Sequence, residues 1–197
     1  MTVSKESIVA ASIKILNRDG IERLSMRTLA KELEIKAASL YWHIKDKREL
    51  YGAIAEHLCG GFNVPDNSND PKGYLTESSK AYRAILLSVR DSVAVMEESP
   101  PITPRRVEII KTQADALLKM GIKPQNLMTV ANLLNNYVLS FVADELRMKN
   151  TPVEEMARIS KILSPAELPA ISNAKDYDGQ FLYGLQVVFA GLATVEN

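Results

Sequence analysis

Between Leu24 and Leu50 the chain gathers side chains suited to gripping a nucleic-acid duplex. An arginine fork such as that of Arg27 can bond a guanine edge, and small residues such as Ala37 and Ala38 let a helix approach base edges closely. Thr28, Ser39, Tyr41, Trp42, His43, Lys36 and Lys47 add hydroxyl, aromatic, imidazole and ammonium groups of the kind that meet phosphates and bases. Competing chemistry has little material. The sequence holds two histidines and one cysteine, with no C-x-x-C, G-x-S-x-G, P-loop or G-x-G-x-x-G pattern. An enzyme, a bound metal and a cofactor are therefore not expected. His43 is assigned to phosphate, His57 to a packed position on an apolar helix stripe, and Cys59 to packing.

Those side chains need a scaffold, and the sequence supplies one. Ser25 is a good N-cap, flanked by Leu24 and Leu29 as a hydrophobic staple. Met26, Leu29, Ala30 and Leu33 then follow the spacing of one buried helical face. Glu34, Ile35 and Lys36 form a turn, and a second helix starts at Lys36 or Ala37 and buries Leu40. Before this pair, Ser4 caps a helix whose stripe is Ile8, Ala11, Ser12, Ile15 and Leu16, ended by Gly20. After it, Asp46 and Glu49 fit a capping box for a helix from Lys47 to about Phe62. Its stripe (Leu50, Ala53, Ile54, His57 and Leu58) outruns the small domain and makes it a link to the rest. Spacing alone leaves a helix-turn-helix and an ordinary helical hairpin equally open.

The run Tyr41 to Leu50, YWHIKDKREL, closely resembles the recognition-helix end of the tetracycline-repressor (TetR) family. The preceding L-x-x-R-x-L-A-x-x-L is similar to that family's first motif helix. The resemblance implies a helix-turn-helix that binds a double-stranded DNA operator. Glu34 departs from the pattern, which usually has glycine there; a left-handed turn at a non-glycine residue costs roughly 1–2 kcal/mol.

Composition fits this reading. Net charge is zero over 197 residues, yet residues 1–50 carry ten Lys/Arg against seven Asp/Glu, placing the positive excess at the motif. A lone cysteine fits a reducing compartment. No signal peptide and no run of about 18 apolar residues stand out, so a soluble cytoplasmic protein without membrane contact is expected. Helical periodicity runs from about Lys72 to Val89, through Val107, Ile110, Ala114, Leu117 and Leu118 to Gly121, from Pro124 to about Met148, and from Tyr177 to Ala193. Proline- and glycine-rich breaks fall at Pro65–Gly73 and Glu98–Pro104, and an excursion at Ser164–Asp176. The expected fold is all-α. Residues 1–46 form the helix-turn-helix domain and 47–197 a larger ligand-binding and dimerisation domain.

The helix over Leu127 to Leu146 is apolar at several angles, with Val130, Leu133, Leu134, Tyr137, Val138, Phe141 and Val142, so it needs more than one packing partner. The TetR resemblance implies a homodimer that pairs this helix and the last one into a four-helix bundle. Asn132, Asn135 and Asn136 interrupt the apolar helix, bonded across a dimer or lining a small-molecule pocket. Positional matches to the family place Asn63, Tyr82, Met96, Ser99, Gln113 and Leu117 around an effector cavity, with Leu86 and Met128 expected as further wall and Asn132 and Asn135 as hydrogen-bonding points. In the family's tetracycline-binding members, histidines near the end of the fourth helix and in the sixth help hold drug and metal. Asn63 and Met96 match those positions here, and Ser78 matches an asparagine, so a magnesium–tetracycline effector is not expected. The implied function is a ligand-responsive transcriptional repressor, released from a palindromic operator by a small apolar or amphipathic effector. A ligand-independent DNA-binding protein, a carrier or an enzyme are the other readings.

Overall fold

The computed structural model describes residues 3–63, 69–162, 164 and 176–195, and its described residues form helices without strands. In chain order they are α1 (Lys5–Asp19), a 3-10 turn at Ile21–Arg23, α2 (Met26–Glu32), α3 (Ala37–Leu40), α4 (Lys47–Gly60), α5 (Pro71–Ser88), α6 (Ser92–Glu98), α7 (Pro104–Lys119), a 3-10 turn at Pro124–Asn126, α8 (Leu127–Lys149), α9 (Val153–Ser160) and α10 (Tyr177–Val195). Most of the excursion expected at Ser164–Asp176, and part of the break at Pro65–Gly73, lie outside the described residues. The chain forms two compact units, Met1–Met120 and Gly121–Asn197.

In the first unit the caps act where the sequence places them. Ser4 caps α1 through the Ser7 N–H and Ser25 caps α2 through the Thr28 N–H, each with the reciprocal side-chain bond of a capping box. Asp46 caps α4 by accepting from the Glu49 N–H at 2.8 Å. Glu49 does not return the bond to Asp46; it accepts from the Lys45 N–H, also at 2.8 Å. Gly20 ends α1 at φ 83°, and a Cβ there would meet the Arg90 guanidinium at 2.9 Å. Ile8, Ile15, Leu16, Leu29, Leu40, Ile44, Leu50 and Ile54 join in one core. That core continues past the head into Val89 and Val95, where α6 packs on α4.

Two faces differ from expectation. His57 is exposed, because α4 turns Leu50, Ile54 and Leu58 inward together with Tyr51 and Ala55. On α7 the buried side is rotated by about one position. Ala116 and Leu117 are buried and Ile109 and Gln113 half-buried, which leaves Val107, Ile110 and Leu118 exposed. An apolar residue on each side of a helix allows either phase, and tertiary packing decides. The helix α6 is too short for a periodicity signal and was not delimited by residue pattern.

In the second unit α8 packs on α10. Tyr137, Phe141 and Phe181 form an aromatic cluster with ring centroids 5.1–5.9 Å apart, and the Tyr137 hydroxyl donates to the Phe181 carbonyl at 2.8 Å. Gly184 permits this approach, since a Cβ there would overlap the Tyr137 ring. The buried Glu145 accepts from Lys149 at 2.6 Å. Leu133, Tyr183 and Val187 remain exposed. Phe181 and Leu185 are buried within the chain.

Candidate nucleic-acid interface and effector wall

The outward side of α2 and α3 rests on fully buried anchors. Leu40 and Ile44 are 0% exposed, so the short α3 is fixed from below although it spans only one turn. Glu34 between the helices sits at φ 55°, the left-handed conformation expected of a position where glycine is the easier residue. Above these anchors Arg27, Lys36, Ala37, Ala38 and Lys47 are exposed and Ser39 and His43 half-buried. Tyr41 is 53% and Trp42 89% exposed. Such exposure of an indole on a small, rigid surface is costly in water and sensible where a partner covers it.

Neighbouring contacts hold several of these groups in place. Lys47 Nζ lies 5.3 Å from the Tyr51 ring centroid, which aims its ammonium without neutralising it. Thr28 has little freedom to act outward. Its hydroxyl accepts from the Ser25 N–H at 2.9 Å and donates to the Arg23 carbonyl at 2.7 Å, so its work is to fix the turn carrying Arg27. Glu32 ties α2 to α1 through Lys14 at 2.6 Å and Arg18 at 3.1 Å, and these bonds, Lys14 first, hold its carboxyl below the usual range. The Lys45 N–H, then Lys5, does the same for Glu49. Carboxylates near the basic face are thus occupied by neighbours.

Residues matched to an effector cavity fall into two groups. In the first unit Leu86, Met96, Ser99 and Leu117 are buried, and Tyr82 and Gln113 half-buried, on α5 and on the α6 and α7 regions that both pack against it. Burial pushes the Tyr82 phenol well above its ordinary range and the Cys59 thiol up to about 11, so Cys59 packs as a neutral thiol. Arg106 donates to the Ser99 hydroxyl at 2.7 Å. Among the described residues two buried hydroxyls, Ser78 Oγ and Thr103 Oγ1, find no hydrogen-bond partner. Asn63 is exposed just beyond α4. In the second unit Met128, Asn132 and Asn135 are exposed on α8, and Asn135 donates to Asn136 at 3.4 Å. The asparagines are therefore not buried amides of the single chain. A separate cleft of about 760 Å³ lies among α1, α4 and the segment from Pro100 to Pro104; none of the residues matched to the effector cavity lines it.

Sequence reasoning missed two joints. Asp91, at φ 59°, accepts from the Ile21 N–H at 2.7 Å, beside Asn17 accepting from the Arg90 N–H at 2.9 Å. Glu56 on α4 accepts from the backbone N–H of Arg105 on α7. Partners so far apart in the chain leave no local signal.

The arrangement is that of a helix-turn-helix regulator with a helical sensor body. Residues 8–54 match the family described as bacterial regulatory proteins, tetR family, and residues 64–196 the one described as tetracyclin repressor-like, C-terminal domain. The chain belongs to the TetR family of DNA-binding, ligand-responsive transcriptional regulators. The class A tetracycline repressor from transposon 1721 of Escherichia coli is 27% identical over 195 residues, 95% of this chain and 89% of that protein. The crystal structure of Mycobacterium smegmatis BioQ is similar with a TM-score of 0.77 and 29% identity, over 98% of this chain and 99% of that one. BioQ with its natural double-stranded DNA operator gives 0.74 at the same identity and coverage. Streptomyces coelicolor ActR in complex with actinorhodin shares the fold, with a TM-score of 0.83 and 22% identity over the whole of both chains. Among the described residues no helix is long and apolar enough to cross a membrane.

Proposed function

We propose that this protein is a homodimeric, cytoplasmic repressor that binds a palindromic operator and leaves it when a small apolar or amphipathic molecule binds the sensor body. The carrying observation is the exposed set Arg27, Lys36, Ala37, Ala38, Tyr41 and Lys47 standing on the fully buried Leu40 and Ile44. Arg27 is assigned to a guanine, Lys36 and Ala37 to base edges, and Ser39, Tyr41, Trp42, His43 and Lys47 to the backbone. Thr28 contributes by bracing Arg27. The functional division is at about residue 46, with α4 as the link. Two copies pair through the exposed apolar residues of α8 and α10, Leu133, Tyr183 and Val187, and their half-sites lie about one helical turn, roughly 34–36 Å, apart. Release requires the effector to favour the DNA-incompetent arrangement.

Selection of bound fragments from random DNA tests the reading. A palindrome bound far more tightly than bulk DNA supports it; only salt-labile, sequence-blind binding overturns it. A glutamate at Tyr183 or Val187 is expected to shift sedimentation toward monomer.

The effector is a mostly apolar, uncharged molecule carrying one or two carbonyl or hydroxyl groups, held by Tyr82, Leu86, Met96 and Leu117 with Ser99 and Gln113 as polar points. A magnesium–tetracycline complex is disfavoured because Asn63, Met96 and Ser78 stand where imidazoles and an amide serve the family's tetracycline binders. Magnesium prefers oxygen ligands and water, and a thioether offers it little. Calorimetric titration with tetracycline, with and without magnesium, beside neutral hydrophobic compounds decides this. Magnesium-dependent micromolar binding of tetracycline overturns it.

A further inference from the structure

We infer that Glu56 and Arg105 cap each other's helices as a positioning pair that fixes the tilt of the reading head, and so the half-site spacing the protein accepts. The Arg105 N–H, in the first turn of α7, reaches the Glu56 carboxylate at 3.0 and 3.1 Å. In return the Arg105 guanidinium donates to the Phe62 carbonyl at 2.6 Å and the Cys59 carbonyl at 3.4 Å, at the end of α4. A carboxylate thus sits at the positive end of α7 and a guanidinium at the negative end of α4. Local residues do not do this work. Thr103, the N-cap of α7, makes no side-chain cap bond, and Pro104 has no N–H to offer. Glu108 pairs with the remaining Arg105 nitrogen, Nη1, at 2.6 Å and fixes the fork's orientation.

The position of the clamp gives it leverage. The first turns of α4 are built into the head core through Leu50 and Ile54, and the clamp holds its last turns, from Glu56 to Cys59, roughly 9–14 Å beyond Leu50 by helical rise. A stiff helix anchored at both ends carries any change at the clamp into head orientation. The Asp91 and Asn17 bonds pin the end of α1 and the turn after it to the α5–α6 junction, a second attachment of the head besides α4. Arg106, the next residue, bonds the Ser99 carbonyl and hydroxyl. The same turn of α7 therefore touches the link helix and a residue of the effector wall.

This role rests on the DNA-binding reading above, and its test uses the full-length protein on the selected palindrome. Companion duplexes carry one or two base pairs inserted between the half-sites, each turning one half-site by about 35°. Wild type is expected to lose about tenfold or more in affinity on the first insertion, because a fixed head cannot follow. Glu56→Ala and Arg105→Met are expected to lose less than about threefold on the same insertion. The double variant should be no flatter in its spacing profile than the flatter single one. Glu56→Gln, whose amide oxygen still accepts from the Arg105 N–H, should fall between, and it carries the test if the alanine protein fails to fold. Variants whose spacing profile superimposes on wild type overturn the pair's role alone. Wild-type protein that binds no selected DNA overturns the DNA-binding reading and the role together.

Discussion

The outer face of α2–α3 and the wall of α5–α7 treat polar groups in opposite ways. In the head the hydroxyls of Ser25 and Thr28 bond each other's backbones, Glu32 and Glu49 are paired, and the groups meant for a partner stand in water. The wall buries Ser99, half-buries Tyr82 and leaves the Ser78 hydroxyl buried without a partner among the described residues. A satisfied scaffold keeps one shape, which suits a regular duplex. Buried hydroxyls without partners are costly unless something else completes them, which suits a ligand site. The contrast is between presenting chemistry and storing it.

The contrast breaks most visibly if the scaffold is not rigid. Leu40→Ala removes a side chain that is 0% exposed, and should cost roughly 2–5 kcal/mol in urea unfolding. Operator affinity should fall with it, since α3 loses its anchor. A loss below about 1 kcal/mol would mean that the head collapses readily around the gap and is no fixed reading surface.

A smaller effect sharpens what the exposed face does. Arg27→Ala should cost roughly 1–3 kcal/mol of operator binding and relax sequence preference at one position. Lys47→Ala should weaken binding to all sequences alike and flatten the salt dependence by about one unit. Identical, sequence-independent losses in competition gel shifts would show that Arg27 does not read bases.

On the wall side, Ser78→Ala removes the unpaired hydroxyl. Unfolding free energy without effector should rise by about 1 kcal/mol, while effector affinity measured by calorimetry falls. Unchanged or lower stability would mean that the hydroxyl is already satisfied and the wall stores nothing.

How much of this was legible follows from the range of each interaction. Ser4, Ser25 and Asp46 could be read as caps because their partners lie three residues on. The exposed set of the head was legible for the same reason, since a local motif dictates which side faces out. The phase of α7 was not, because Val107 and Ile109 are equally apolar and only packing on α4 and α5 selects between them. His57 was misplaced on α4 by a similar shift. The clamp was invisible in principle: Glu56 and Arg105 are 49 residues apart, and a cap drawn from another helix leaves no trace beside the helix it caps.

The smallest effect concerns the one strained point of the head. Glu34 holds φ 55° and its side chain is exposed, so the conformation is imposed by the turn between α2 and α3. Its backbone bonds show how: the Glu34 N–H donates to the Lys31 carbonyl at 3.1 Å and the next N–H, of Ile35, to the Ala30 carbonyl at 3.0 Å. This is the wrap-around pairing of a helix end that needs a left-handed residue. Left-handed strain of roughly 1–2 kcal/mol is relieved in Glu34→Gly, against roughly 0.5–1 kcal/mol of extra flexibility gained by the unfolded chain. The difference predicts a gain of about 0.5–1 kcal/mol in urea unfolding, with operator affinity unchanged because Arg27 and α3 keep their positions. Glu34→Val is expected to go the other way, since a β-branched side chain tolerates this region worst. Glycine lowering stability would show that the turn is comfortable with glutamate. An accompanying loss of operator binding would assign that carboxylate a part in holding the reading face.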